Sequence, residues 1–544
     1  MKMKFHDENI FLFTSKVRKN VVNKTLSTFW CAMNQNNFHL ICVTKFMFQK
    51  LFYYFIVASL LSFIFFASCR KDKFLVGTAN LKFSTDTLTF DTVFTTIGST
   101  TQYFKIYNPY SKKVRINRIH LQNGSASLFR LNVDGKAGND QSNIDIEPKD
   151  SIYVFVAVTV DPNNKTNPIV IYDKVVVETT GSTDGVTLQA WGQDVYINKN
   201  HGYFKDRVDS IYFDAYATSV VGGITNGVWK NDKPHLVFGI GVVYGGKTMT
   251  VQQGSRIYMH SGAYFFVFGA MNATGTKQDS IVFQGDRLEH DYDNIPGQWG
   301  SLQFLRGSQT STFTHVTIKN ASDGLVLGSD TSGSPSAFNI TNKPHLVLNK
   351  CTIKNCDESC IFSFLSDVDA TNCLFYNTNQ QTVQLLFGGN SNFKQCTIAD
   401  YNTTFITHNN EALRISNWAG FGAVTQYYIA PVNAKFSNCI VFGSLQTNKE
   451  INIDQDHGAD TTFKYTFDHC LIRTDLSIAN THFLNCFNGI DNDYYPVFNS
   501  ISSNDYSLGA SSPAINAGST TLGVMDDIND KLRDASPDIG CYEK

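Results

Sequence analysis

The sequence predicts an all-β protein in which an antiparallel sandwich leads into a parallel β-helix. Three observations predict it. A short strand motif returns again and again between Phe313 and Arg473. Short alternating strands broken by turn residues fill residues 81–197. Only 17% of the 544 residues are charged and 13% are aromatic, against a background rich in Thr, Asn and Ser, which is a β-rich composition of secreted type.

At its front the chain carries an uncharged apolar stretch, Leu51 to Ser68. Its length lies between that of a signal-peptide core and that of a short membrane span. Phe66-Ala-Ser-Cys69 follows, with small residues just before a cysteine. This resembles the lipobox of bacterial lipoproteins, departing from it at Phe66, where Leu is usual. The resemblance implies cleavage before Cys69, lipidation of Cys69, and a mature protein held on a membrane by acyl chains. An uncleaved helical anchor is the alternative. Met47-Phe-Gln-Lys50 supplies a charged start for such a signal, so residues 1–46 are read as an over-extended start and 1–68 as leader and signal peptide. Residues 69–80 are then a tether. The run Arg70-Lys-Asp-Lys73 is a weak form of the acidic export signal found in surface lipoproteins of Bacteroidota, which leaves open the periplasmic face of the outer membrane or the cell surface.

The whole chain has a formal net charge of −2, and without residues 1–68 the remainder stands at −8. An acidic body with no basic run has little grip on phosphate backbones, so nucleic acid is excluded as a partner.

From Leu81 to about Ile197 the candidate strands are Leu81–Ser84, Thr101–Ile106, Val114–Ile116, Ser151–Val158 and Lys174–Glu178, with turns at Asn108-Pro109, Asn123-Gly124 and Asp161-Pro162. About seven strands over this length fit a sandwich of immunoglobulin type, placed at 81–198. The run from Phe83 through Phe90-Asp-Thr-Val93 to Tyr103-Phe-Lys-Ile106-Tyr-Asn108-Pro109 resembles bacterial Ig-like modules related to the MSP/ASPM group. Such modules serve as spacers or adhesion domains, and no chemistry is expected of this one.

The repeated motif reads Phe313-Thr-His-Val316-Thr-Ile318-Lys-Asn320, then Leu348-Asn-Lys-Cys351-Thr-Ile353-Lys-Asn355, with further copies around Cys373 and Cys396 and looser ones around Cys439 and Cys470. From Val316 through the five cysteines the spacings are 35, 22, 23, 43 and 31 residues, the range of a solenoid coil with loop insertions. Apolar and polar residues alternate at period two, so the unit is a strand. Cys351, Cys373, Cys396, Cys439 and Cys470 are therefore expected in one inward ladder of free thiols, because residues stacked in one column must turn sideways to pair as disulfides. Cys351, Cys356 and Cys360 lack a second half-site, so no metal is expected. Asn320, Asn355, Asn377 and Asp400 fall at one place after their strands and predict an asparagine ladder at a corner.

Upstream, Gly241–Tyr258, Phe268–Arg287 and Pro296-Gly-Gln-Trp299-Gly300 resemble the opening rungs of right-handed parallel β-helix proteins of the pectin-lyase-like superfamily, and of Bacteroidota surface lipoproteins in particular. The ending Ser512-Pro-Ala-Ile515-Asn-Ala-Gly518 with Pro537-Asp-Ile-Gly-Cys541-Tyr-Glu543 is similar to that of many exported β-helix proteins, with Cys541 where Ala is common. A β-helix over 199–485 and a cap of its last rung over 486–544 are expected.

Several β-helix families cleave polysaccharides. A hydrolase needs two carboxylates, and a lyase needs a base together with Ca²⁺ or another cation. The candidate catalytic residues are Asp454, Asp456 and His457, where Asp456-His457-Gly458 is faintly similar to a His-Gly element of polygalacturonases but lacks the partner carboxylate motif and the Arg-x-Lys element. Asp526 and Asp527 lie in the cap and are poorly placed for catalysis, and the alternative reading for Asp367 and Asp369, as for the Asp454–Asp460 and Asp286–Asp293 clusters, is solvated loop carboxylates. The loop from Asp286 to Trp299 mixes charge with rings suited to stacking on sugars, so Asp286, Arg287, His290, Tyr292 and Trp299 are candidate ligand-binding residues. The leading expectation is a non-catalytic, lipid-anchored envelope protein that binds glycan or another surface ligand, a surface protein included. A polysaccharide lyase or hydrolase and a structural spacer are the alternatives. No cofactor is expected, and Ca²⁺ enters only with the lyase. Labelled palmitate is expected to enter the expressed protein and to be absent from Cys69→Ala; labelling that survives the substitution removes the anchor.

Overall fold

A computed structural model describes residues 73–95, 97–160, 169–198, 227–328, 343–420, 427–447, 449–455, 462–490 and 494–544, with the backbone of short strands between 202 and 217. Cys69 and the leader lie outside these residues, as do Asp161-Pro162. Residues 75–544 form one compact unit.

The first part is an immunoglobulin-like sandwich of two five-stranded sheets. Sheet I runs Lys82–Phe83, Gln102–Tyr107, Ser151–Val158, Phe129–Val133 and Lys136–Ala137 in spatial order; sheet II runs Thr87–Phe94, Ser182–Gln193, Ile169–Thr179, Val114–Leu121 and Asp140–Ile146. The alternation that predicted strands also fills the core: Phe104 and Ile106 of sheet I and Ile116 and Ile119 of sheet II are fully buried. Sequence patterning missed several strands, Asp140–Ile146 among them, which is polar almost throughout and is held as an edge by its pairing with Val114–Leu121.

The rest is a parallel β-helix with three faces. In each coil the chain passes from a first face (ten strands, Gly227–Trp229 to Phe483–Leu484) to a second (eleven strands, Tyr196–Asn198 to Phe487–Asn488) and on to a third (ten strands, Gly202–Phe204 to Ile451–Asp454). The solenoid thus begins at Tyr196, inside the segment assigned to the sandwich, and its last strand ends at Asn488, beyond the expected 485. Ring columns mark the stacking of successive coils: Phe393, Phe436 and Phe467 lie nearly parallel at 4.9 and 4.8 Å.

From the strand Ser311–Thr314 onward, the corner between the first and second faces carries a single residue with positive φ: His315, Lys350, Asn372, Gln395, Asn438, His469 and Asn485. The carbonyl before each corner already accepts a backbone N–H from the neighbouring coil, as Ser437 O does from Gln395 N at 2.9 Å, and a cysteine side chain after the corner adds a second donor to it. Cys439 Sγ donates to the oxygens of Ser437 (3.3 Å) and Phe393 (3.4 Å), and Cys396, Cys470 and Cys486 repeat this pattern. All nine described cysteines are free thiols, and the column extends one coil further than expected, to Cys486. The asparagine ladder also forms: Asn377 Nδ2 donates to Asn355 Oδ1 at 3.1 Å, and Asn320, Asn355 and Asn377 all adopt the left-handed conformation. Asp400 does not join it. Its carboxylate accepts Thr378 N, Thr378 Oγ1 and Thr382 Oγ1 instead.

The C-terminal segment is not a lid on the last rung. It runs back along the outside of the second face, because that face is apolar on both sides: Leu374, Tyr376, Ala399, Ile440, Phe442 and Leu471 are covered by Tyr506, Leu508, Ile528, Ile539 and Cys541. Corner side chains hold it there. Lys350 pairs with Asp526 and Asp530, Asn372 bonds Asp526 O and Arg533, and Asn438 bonds both Ser519 N and Ser519 O. Arg533, 2% exposed, pairs with Glu543 at 3.0 Å and also donates to Gly540 O, so losing one partner strands a buried charge.

A second buried network fixes the long turn after Asp400. His408 has Nε2 2.9 Å from Glu450 and Nδ1 3.1 Å from Asp400, all three side chains being inaccessible. Burial alone would lower the imidazole, but the two carboxylates outweigh it and push its pKa up to about 9 from 6.5. The folded state therefore holds this proton more tightly than the unfolded chain does. Its stabilisation is complete below about pH 6.5 and is lost as pH rises through about 9. The wild-type thermal midpoint should fall over that window relative to His408→Gln, which starts lower and changes less; parallel profiles would contradict the charged clamp.

Candidate functional site

The loop Asp286–Trp299 leaves the second face and lies against the sandwich. Thr100 donates to Glu289 at 3.2 Å, and Phe94 packs on Tyr258 with ring centres 5.0 Å apart. A cleft of about 390 Å³ remains at this joint, lined by Phe90, Phe94, His260, Asp286, Arg287 and Tyr292 among others. The charged groups that the strap brings to it are already matched. Asp286 lies 2.6 Å from His260, and Arg287 reaches Glu289 at 3.0 Å with its guanidinium 3.8 Å above the Tyr292 ring. Burial opposes ionisation of Glu289, but the hydrogen bond and charge of Arg287 together with backbone and Thr100 hydrogen bonds outweigh it and hold the carboxyl below its ordinary value. Trp299 is wholly buried and donates to Lys319 O at 2.9 Å, so it is a core residue and not a sugar platform. His290 stands alone of the five in solvent, its side chain 96% exposed. The loop is a strap between sandwich and solenoid.

The expected carboxylates are likewise partnered. Asp454 meets Arg414 at 2.7 Å and Trp418 Nε1 at 3.0 Å, Asp367 meets Lys343 at 2.8 Å, and Asp369 meets His345 at 2.9 Å. Asp456 and His457 lie outside the described residues.

A larger groove of about 590 Å³ opens beside the asparagine ladder. Its floor is Asn355 and Asn377, each 1% exposed. Three segments far apart in sequence build its walls: Asn294 from the strap, Asn402, Thr403, Thr404 and Phe405 from the turn after Asp400, and Ile501, Ser502 and Asn504 from the C-terminal segment. Each wall is tied down. Asn294 Oδ1 accepts from Asn355 at 3.1 Å and Asn504 Oδ1 accepts from Asn377 at 2.9 Å. Asn402 Oδ1 accepts from His408 N at 2.8 Å, which joins this wall to the buried imidazole clamp. With their oxygens engaged, Asn294 and Asn504 keep amide nitrogens that have no partner among the described residues. Phe405 and Ile501 are 45% and 40% exposed at the rim. No charged side chain lines the groove. Sequence reasoning identified the ladder but missed the site, since nothing in the sequence brings residues 294, 402 and 504 together.

A scan against protein-family profiles and a search of curated proteins matched nothing. Among solved structures the chain is similar to a family 123 glycoside hydrolase from Clostridium perfringens, at 8% identity and a TM-score of 0.15, over 21% of this chain and 25% of that one. It is also similar to the catalytic unit of a thermostable GH87 α-1,3-glucanase from Streptomyces thermodiastaticus strain HF3-3, at 10% identity and a TM-score of 0.25, over 68% of this chain and 73% of that one. The chain thus spans a quarter of the length of the first. At these scores neither likeness informs the activity of this protein.

One carboxyl near the ladder is perturbed. Asp323, in the turn between second and third faces, is pushed up to about 6 by burial and by the nearby Glu358 and Asp357, although Ser359 N donates to it. Its ionised form costs stability, a penalty absent below about pH 3.8 and complete above about pH 6. Asp323→Asn keeps an acceptor for Ser359 and should stabilise the protein by about 1–2 kcal/mol at pH 7 and by nothing near pH 3.5. Denaturant titration at the two pH values measures this, and a loss of stability at pH 7 would refute it.

Proposed function

We propose that this chain is a lipid-anchored envelope protein of the pectin-lyase-like β-helix superfamily, of Bacteroidota type, that binds a glycan on its solenoid without cleaving it. In this reading Cys69 carries the lipid, and the protein stands on the outer membrane at its periplasmic face or at the cell surface. The observation that carries the reading is the uncharged groove walled by Asn294, Asn402 and Asn504. Amides and hydroxyls match sugar hydroxyls as donors and acceptors, while Phe405 offers an apolar surface to the face of a ring. With no cation or carboxylate in the lining, the fitting ligand is a neutral glycan.

One observation favours a hydrolase as the second reading. Asp323 has a carboxyl raised toward neutrality beside two further acids, and glycoside hydrolysis uses a protonated acid near a second carboxylate. A glycan-array screen of the full chain, paired with reducing-end and unsaturated-product assays, separates the two. Neutral glycans should be retained without product, and Phe405→Ala should weaken retention about tenfold. Retention unchanged in Phe405→Ala would refute the groove, and product formation abolished by Asp323→Asn would establish the hydrolase.

A further inference from the structure

The two solvent faces of the sandwich differ in character. On sheet II the outward charges neutralise one another: Arg115 pairs with Asp145 at 2.7 Å and Arg118 with Asp140 at 2.6 Å. Sheet II also exposes Val170 and Tyr172, by 40 and 58%, but sheet I gathers four exposed rings, Tyr103, Tyr107, Tyr153 and Phe155, by 53, 39, 39 and 36%. The outer face of an antiparallel sheet is normally polar, and a contiguous exposed apolar patch marks an interaction site.

Strand register fixes the array. Tyr103 stands opposite Phe155, Lys105 opposite Tyr153, and Lys82 opposite Tyr107. The Tyr103 ring centre lies 5.4 Å from that of Tyr153 and 6.0 Å from that of Phe155, and the Lys105 ammonium lies 4.5 Å from the Tyr153 centroid. Neither Lys82 nor Lys105 takes part in an ion pair among the described residues. The acids nearest in register, Asp134 and Asp150, sit in turns at the strand ends. A flat aromatic array with unpaired cations suits sugar rings that bear negative charge. A second copy of this chain fits poorly, because a two-fold contact would set the same lysines against each other.

We propose that the outer face of sheet I is a second carbohydrate site, separate from the solenoid groove, that takes an acidic polysaccharide through its aromatic rings and the ammonium groups of Lys82 and Lys105. Affinity electrophoresis of the full chain through gels containing polygalacturonate, alginate, chondroitin sulfate or dextran tests it, with flotation on phosphatidylglycerol vesicles run in parallel. At least one acidic polymer should retard the protein, with retardation falling as salt rises, and dextran should retard it less. The double substitution Tyr103→Ala/Phe155→Ala should weaken that binding about tenfold at an unchanged thermal midpoint. Lys105→Gln should weaken it less and flatten its salt dependence. Phe405→Ala should leave it untouched, so failure here and failure of the groove are told apart. The proposal is overturned if no acidic polymer retards the protein, if the aromatic double variant is retarded as strongly as wild type, or if the variants lose only vesicle binding.

Discussion

The one-residue corner between the first and second faces is the constraint on which the solenoid depends. From His315 onward each of these turns is made by a residue in the left-handed conformation, which costs a non-glycine residue about 1–2 kcal/mol, whereas the earlier joins are longer loops. Lys350 and Gln395 occupy such corners, although neither residue type is favoured there. The tight turn sets the register of everything after it. The following side chain points inward, and in five successive coils from Cys351 to Cys470, and in Cys486 beyond them, it is a thiol that donates back to the carbonyl just before the corner. Cysteine serves here as a small apolar residue that still carries a weak donor.

The same corners explain why the C-terminal segment lies where it does. Their side chains form a polar column down the solenoid, and the segment binds that column through Asp526, Asp530, Arg533 and Ser519. Beside the column the second face presents Leu374, Tyr376 and Phe442 outward, and these need cover. Strained corners and a two-sided apolar sheet are thereby met by one segment. Its far edge, at Ile501–Asn504, becomes a wall of the groove.

Recognition surfaces in this molecule sit where the repeat is interrupted or absent. The groove is made of insertions and a returning tail, held by the asparagine ladder and by the buried Asp400–His408–Glu450 clamp. The strap from Asp286 to Trp299 looked from its composition like a binding loop. Its charges are instead matched within the joint and its tryptophan is packed away, leaving Asn294 as its contribution to the groove. Polar and aromatic composition alone did not distinguish a ligand surface from an interdomain contact.

The sequence by itself determined the fold class, the strand unit, the inward thiol column and the ladder through Asn355 and Asn377, because side-chain periodicity and coil spacing are local properties that survive without knowledge of partners. It placed the start of the solenoid slightly late and mistook the role of the tail, since Tyr196–Asn198 and residues 494–544 are defined by what they pair with and not by their own pattern. Only the tertiary structure decided which polar residues meet. Asn294, Asn402 and Asn504 converge through three independent chain excursions, and Tyr103 and Phe155 become neighbours through sheet register across 52 residues. Contacts between segments so far apart depend on how coils and sheets stack, and that information is not written in any short stretch of the chain.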